Sequence, residues 1–211
     1  FKVNFEDVKI KPDDILRIKI SSKSPELSGL FSFNQNIPNN NTLESYQIEG
    51  YLVNSDGFVK IPSLDPILVK DLTLNQASNL IENLLKEQED IKNTTVDVKI
   101  VNAYFTILGE VNKPGRYNFL ENNIDIFQAL GIAGDLTINA KINDIKIIRK
   151  NNDNLKVKNI DITSAEFLNS DSFQVYPGDI IIVNANNARV KNAGIIGLSL
   201  IHISEPTRPI D

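Results

Sequence analysis

Alternating apolar and polar positions open the chain. Leu16, Ile18 and Ile20 alternate with Arg17 and Lys19, the pattern of a half-buried strand within residues 8–21, and the turn Pro12-Asp13-Asp14 feeds it. Residues 22–47 are rich in Ser, Asn and Pro, with Asn39-Asn40-Asn41 at the centre, and read as a long loop. Tyr51-Leu52-Val53, then Asn54-Ser55-Asp56-Gly57, then Phe58-Val59-Lys60-Ile61 reads as a β-hairpin with a Gly-ended turn. The period then changes to that of a helix. Thr73 and Gln76 have the spacing of a capping box, and Ala77, Leu80, Ile81, Leu84 and Leu85 form one apolar stripe. Asn75, Asn79, Glu82, Asn83 and Lys86 are left to face water. Period 2 returns from Thr95 to Val101, with Val96, Val98 and Ile100 on one face and Asp97 and Lys99 on the other.

A second domain is predicted to begin near Ala103, giving spans of 1–102 and 103–187. Its first feature is a corner: Thr106-Ile107-Leu108 is an apolar strand that breaks at Gly109, Glu110 to Lys113 form a charged turn, and Pro114-Gly115 launches a strand with Tyr117 and Phe119 on one face. Pro114 presets its φ, and glycine at the corner permits a positive one. A helix over Ile124–Ala133 follows, with Phe127, Leu130 and Ala133 toward the core and Gly134 ending it. Strands are predicted at Ile145–Arg149 and Lys156–Ile160, and a helical turn around Ala165–Leu168. Tyr176-Pro177-Gly178-Asp179 then feeds the apolar strand Ile180–Val183. One helix per unit without regular βαβ alternation argues an α+β fold of two small domains. One internal echo stands out: Lys11-Pro12-Asp13-Asp14 and Tyr176-Pro177-Gly178-Asp179 both place a Pro-turn with an Asp before an apolar strand.

Composition narrows the function. A chain of 211 residues, 41% hydrophobic and 23% charged, can bury a substantial core. A net charge of −5 argues against a nucleic-acid partner, and Lys146, Arg149 and Lys150, the densest basic group, are flanked by Asp144 and Asp153 and read as solvated surface. With no cysteine and one histidine, thiol catalysis, disulfides and Cys-based zinc sites are excluded. No apolar run reaches the roughly 18–20 residues of a membrane span. Phe1 is not a natural start, and the chain is read as cropped there.

Candidate chemistry is thin. Asp13 and Asp14 are adjacent and would point to opposite faces of a strand, whereas an acid and base acting on a sugar must flank one bond. Asn54-Ser55-Asp56-Gly57 lacks the alternating ligands and distant Glu of a calcium loop. Gly131-Ile132-Ala133-Gly134 ends a helix, where a phosphate loop would precede one. Ser164, Ser170 and Ser172 lack a histidine partner. No catalytic, cofactor or metal site is expected. The tail Leu198-Ser199-Leu200-Ile201-His202-Ile203-Ser204-Glu205-Pro206-Thr207-Arg208 resembles the in-frame translation of a transposase-based sequencing adapter. Residues 198–211 are therefore read as non-native, 188–197 as the start of a truncated C-terminal segment, and His202 is assigned no role.

The order and spacing of these blocks resemble the outer-membrane polysaccharide export proteins. The first domain resembles their polysaccharide-export domain through Lys11 to Ile18, Tyr51-Leu52-Val53, Asp56-Gly57, Ile61-Pro62 and Val69 to Leu85. The second resembles their soluble-ligand-binding β-grasp (SLBB) domain through Leu108 to Val111, Pro114-Gly115, Ile126 to Thr137 and Pro177-Gly178-Asp179. The chain departs at two turns, with Asp13 where the family usually has Gly and Pro66 where a Gly-containing turn is common. On this resemblance Pro12, Asp14, Asp56, Gly57, Gly109, Glu110, Pro114, Gly115, Gly131, Gly134, Pro177, Gly178 and Asp179 are motif residues with structural rather than catalytic roles. The family implies a periplasmic body at the outer membrane that stacks as a homo-oligomeric ring and passes capsule or exopolysaccharide outward. It also implies cooperation with an inner-membrane polysaccharide co-polymerase and a lipid anchor before Phe1, with any membrane-spanning helix after Gly197. Two other readings compete. One is a monomeric glycan-binding module using Tyr104, Tyr117 and Phe119. The other is an envelope enzyme that depends on Asp13 or Asp14.

Overall fold

The computed structural model describes residues 5–22, 50–62, 64–87, 94–151 and 154–186. The loop expected over 22–47, apart from Ser22, and the spans 188–197 and 198–211 with His202 lie outside the described residues.

The first half is built on β1 (Ile15–Ser22), which pairs antiparallel with β2 (Tyr51–Leu52) on one side and β5 (Thr94–Ile100) on the other. The register sets Leu16 opposite Ile100, Ile18 opposite Val98 and Ile20 opposite Val96, so the alternating apolar positions of both strands share a face. Lys19 meets Asp97 on the other face. Helix α1 (Leu74–Glu87) packs on β5 and buries Ala77, Ile81 and Leu85. Its start is fixed by a reciprocal cap: the Thr73 amide donates to Gln76 Oε1 at 2.9 Å and the Gln76 amide donates to Thr73 Oγ1 at 3.2 Å. Leu80 and Leu84 are half-buried against the same core.

The expected hairpin forms only as a turn. β3 (Phe58–Val59) pairs with β4 (Ile67–Leu68), not with β2. Two backbone bonds close the turn, Asn54 N to Phe58 O at 3.0 Å and Gly57 N to Asn54 O at 2.9 Å. The reason is competition. Val53 donates to Asp14 O and accepts from Asp13 N, extending the β1–β2 ladder, while Gly57 O accepts from Val69 and Lys70 on the β4 side.

The second half is a five-stranded mixed sheet of β6 (Tyr104–Gly109), β7 (Gly115–Asn118), β9 (Ala140–Asn151), β10 (Asn154–Ile160) and β12 (Ile180–Ala185), in the order β10-β9-β12-β6-β7. Its first and last strands, β6 and β12, lie side by side and parallel at the centre, and the other pairs are antiparallel. In the run Ile180-Ile181-Ile182-Val183, Ile181 and Val183 are buried, and Ile180 and Ile182 are half-buried on the other face. A short ladder joins β8 (Ile124–Asp125) to β11 (Gln174–Val175), and α2 (Ile126–Ile132) and a 3₁₀ turn, η1 (Ala165–Asn169), complete the half. Val101 and Ala103, at the crossing between the two sheets, are both buried, and the apolar residues of both halves form one contiguous core.

Two further expectations need correction. α2 begins at Ile126, because Asp125 caps it and the Asp125–Gln128 capping box sets its frame. That frame turns Ile126, Ala129, Leu130 and Ala133 inward and leaves Phe127 44% exposed, with edge contacts to Phe167 and Phe173. At the corner, the glycine that takes a positive φ is Gly109, at 91°.

Candidate functional site

The two echoed Pro-turns fold alike. In the first, Asp14 N donates to Lys11 O at 3.2 Å, Asp13 takes φ 70°, and the Asp14 carboxylate accepts from Lys11 N at 2.7 Å. In the second, Asp179 N donates to Tyr176 O at 3.1 Å, Gly178 takes φ 88°, and the Asp179 carboxylate accepts from Tyr176 N at 2.9 Å. Proline at the second position and a left-handed third residue are the pattern of a type II turn. The aspartate at the fourth position closes each turn a second time through the amide of the first residue.

Their surroundings differ. Asp179 is 1% exposed, and Arg149 of β9 reaches it with Nε to Oδ1 at 2.9 Å and Nη2 to Oδ2 at 2.8 Å. The same guanidinium donates to Gln174 O at 2.9 Å and stacks 4.0 Å from the centre of the Tyr176 ring. Arg149, read from sequence as surface charge, is thus the anchor of this turn. Among the described residues Asp14 has no such cation. Burial pushes its carboxyl up to about 6, opposed in part by the amide and charge of Lys11. Its turn is braced instead by Asn102, whose Oδ1 accepts from Ile15 N and whose Nδ2 donates to Asp13 O, both at 2.9 Å. Asp13 itself is exposed, so the adjacent acids diverge.

A strap of residues 5–10 joins the two turns. The buried Gln174 side chain meets the Glu6 backbone twice, accepting from Glu6 N and donating to Glu6 O, each at 2.8 Å. The Tyr176 hydroxyl donates to Glu6 Oε2 at 3.0 Å; burial, then that carboxylate, push its pKa up to about 12. The strap continues into the first half, where Ile10 N donates to Leu72 O and Asp71 N donates to Ile10 O, both at 2.9 Å. Between strap and sheet lies a cleft of about 330 Å³. Lys9, Lys11 and Asp14 line one wall, and Arg149, Lys156, Lys158, Tyr176 and Pro177 line the other.

The remaining motif residues lie elsewhere. Asp56 is exposed; the turn beside it is organised by Asn54, whose Oδ1 accepts from Asp56 N and Phe58 N. Gly57 takes φ 90°, and a Cβ there would meet Lys70 Cβ at 2.3 Å. Gly109 abuts β12: a Cβ would stand 2.0 Å from Val183 O. Buried Glu110 accepts from Thr137 Oγ1 at 2.8 Å. The corner led by Gly109 and carrying Pro114-Gly115 is pinned to the end of α2, since Asn112 N donates to Asp135 O and Lys113 N to Ala133 O. Gly134 takes φ 76° just past that helix end, whereas Gly131 is exposed with open space around it.

The aromatic residues that could have formed a sugar platform have other contacts. Arg116 covers the Tyr104 ring at 3.5 Å, Tyr117 stacks on Phe105 and donates to Lys113 O, and Phe119 is buried against Phe105. Among the described residues no three His, Cys, Asp or Glu groups converge as a metal site, and no helix is long and apolar enough to cross a membrane. Residues 3–101 match the family model for a polysaccharide biosynthesis/export protein. No curated protein matches the chain.

Proposed function

We propose that this chain, which through residues 3–101 belongs to the polysaccharide biosynthesis/export family, is the periplasmic body of an outer-membrane conduit for capsule or exopolysaccharide. The family is one of export, so the chain is a cell-envelope protein in polysaccharide export. The match over 3–101 is the observation that carries the finer reading. The second half supports it: a mixed sheet with parallel first and last strands at the centre and a helix after the first hairpin is the arrangement a β-grasp (SLBB) domain implies.

In this reading the protein breaks no bond. Identical subunits meet through heterologous contacts, and a rotation that closes gives a ring. The ring encloses a polar lumen without tight sugar sites, because the polymer must keep moving. A lipid anchor ties the ring to the outer membrane, and an inner-membrane co-polymerase delivers the polymer. The glycan-module alternative is weaker, since Arg116 covers a face of Tyr104, Phe105 stacks on Tyr117 and Phe119 is buried.

Deleting the gene in its source bacterium tests the proposal. Surface polysaccharide is expected to fall at least tenfold while polymer accumulates inside the envelope. Unchanged surface polysaccharide would refute the conduit.

A further inference from the structure

We propose that the cleft between the strap and the face of β9 and β10 binds a multiply anionic ligand, one bearing carboxylate or phosphate groups. The β9–β10 register carries the argument. Lys156 stands directly opposite Arg149, and Lys158 opposite Ile147, so three cations share one face of the ladder. Arg149 has a structural role in the Asp179 turn, but among the described residues no ion pair accounts for the Lys156 ammonium opposite it. Arg149 is neutralised by Asp179, and Lys158 pairs with Asp171 at 3.2 Å. Lys156 makes no ion pair among the described residues, and neither do Lys9 and Lys11 on the facing wall.

The lining holds six cations, the five above and Lys150, against four carboxylates, Glu6, Asp7, Asp14 and Asp171, in a protein whose net charge is −5. Of those carboxylates, Glu6 accepts from Tyr176, Asp14 from the Lys11 amide and Asp171 from Lys158. With Asp179 counted under Arg149, six cations stand against five carboxylates, a small positive excess in a protein of net charge −5, and ammonium groups outside any ion pair stand on both walls. A volume of about 330 Å³ falls at the lower end of the range for small-molecule sites, which occur preferentially between domains. A ligand with two or more anionic groups would bridge Lys11 and Lys156 and so join the two halves.

The test is isothermal titration of the full chain, at low salt, with trigalacturonate, inorganic pyrophosphate and the neutral trisaccharide maltotriose. Trigalacturonate or pyrophosphate is expected to bind at one site per chain, with an affinity that falls as salt rises. The paired substitution Lys11→Gln with Lys156→Gln is expected to weaken binding at least tenfold, and Lys86→Gln, on the exposed face of α1, to leave it unchanged. Both variants are checked by thermal melting; the replaced side chains are exposed, so melting close to the parent is expected. Binding of trigalacturonate alone identifies a uronate-bearing ligand, and binding of pyrophosphate alone a phosphate-bearing one. Binding of neither anion, equal binding of maltotriose, or binding that survives the paired substitution overturns the proposal. The deletion phenotype above does not depend on this cleft, so the two proposals fail separately.

Discussion

The turns at Lys11–Asp14 and Tyr176–Asp179 have the same backbone and the same local hydrogen bonds but opposite electrostatic situations. One aspartate lies under a guanidinium that grips it with both nitrogens; the other is half-buried with only an amide and a nearby lysine. Turn shape is set by four consecutive residues. The state of the acid inside the turn is set by what the rest of the fold brings to it, here a strand 30 residues away in sequence. Both turns line the cleft, but only the Asp179 turn also locks β9, β11 and the strap together.

The largest break in this comparison is Asp179→Ala. It removes the turn's second closure and takes the buried counter-charge from the part-exposed Arg149 guanidinium. A loss of about 3–4 kcal/mol is expected by denaturant unfolding, as for a buried pair with one partner removed. A loss below about 1 kcal/mol would show the pair to be incidental.

Asp14→Asn should act in the opposite direction. The folded Asp14 pKa, about 6, lies above the ordinary value of 3.8. The folded state therefore holds the proton more tightly than the unfolded one. The resulting stability is fully present below pH 4 and is lost as pH rises through 6. An asparagine keeps an acceptor for Lys11 N without the buried charge. The variant is expected to be more stable than the parent by about 2 kcal/mol at pH 7 and equal to it below pH 4. Unfolding curves at the two pH values check both statements, and a gain independent of pH would point to packing instead.

The third position of each turn gives the finest contrast. Gly178→Ala forces a Cβ into a left-handed conformation, at a cost of about 1–2 kcal/mol. Asp13→Gly relieves the corresponding strain and should stabilise by under about 1 kcal/mol, since the unfolded chain gains freedom as well. Parallel melts of the two variants should move in opposite directions.

What could be read from sequence was local. The capping box at Thr73 and Gln76, the stripe from Ala77 to Leu85 and the echo of the two Pro-turns depend on residues within a turn or two of each other, and each is present. What could not be read was decided by competition across the fold. β2 chose β1 over β3 because Val53 found better-placed partners at Asp13 and Asp14. Phe127 lost its core position to Ala129 because the Asp125 cap, not the count of apolar residues, set the frame of α2. Arg149 could not be distinguished from its neighbours Lys146 and Lys150 until the sheet placed it beneath Tyr176. Gln174 and Asn102, whose amides hold the strap and the crossing, have no sequence signature, because an amide serves any backbone it reaches. The cleft was likewise invisible, since Lys11 and Lys156 come together only through the strap and the β9–β10 register.

The central claim is that copies of this protein form the wall of a conduit. Single-particle images of the protein extracted in detergent from its own bacterial envelope test it most directly. The account predicts closed rings with a central lumen. Particles that remain monomers at every concentration would contradict it.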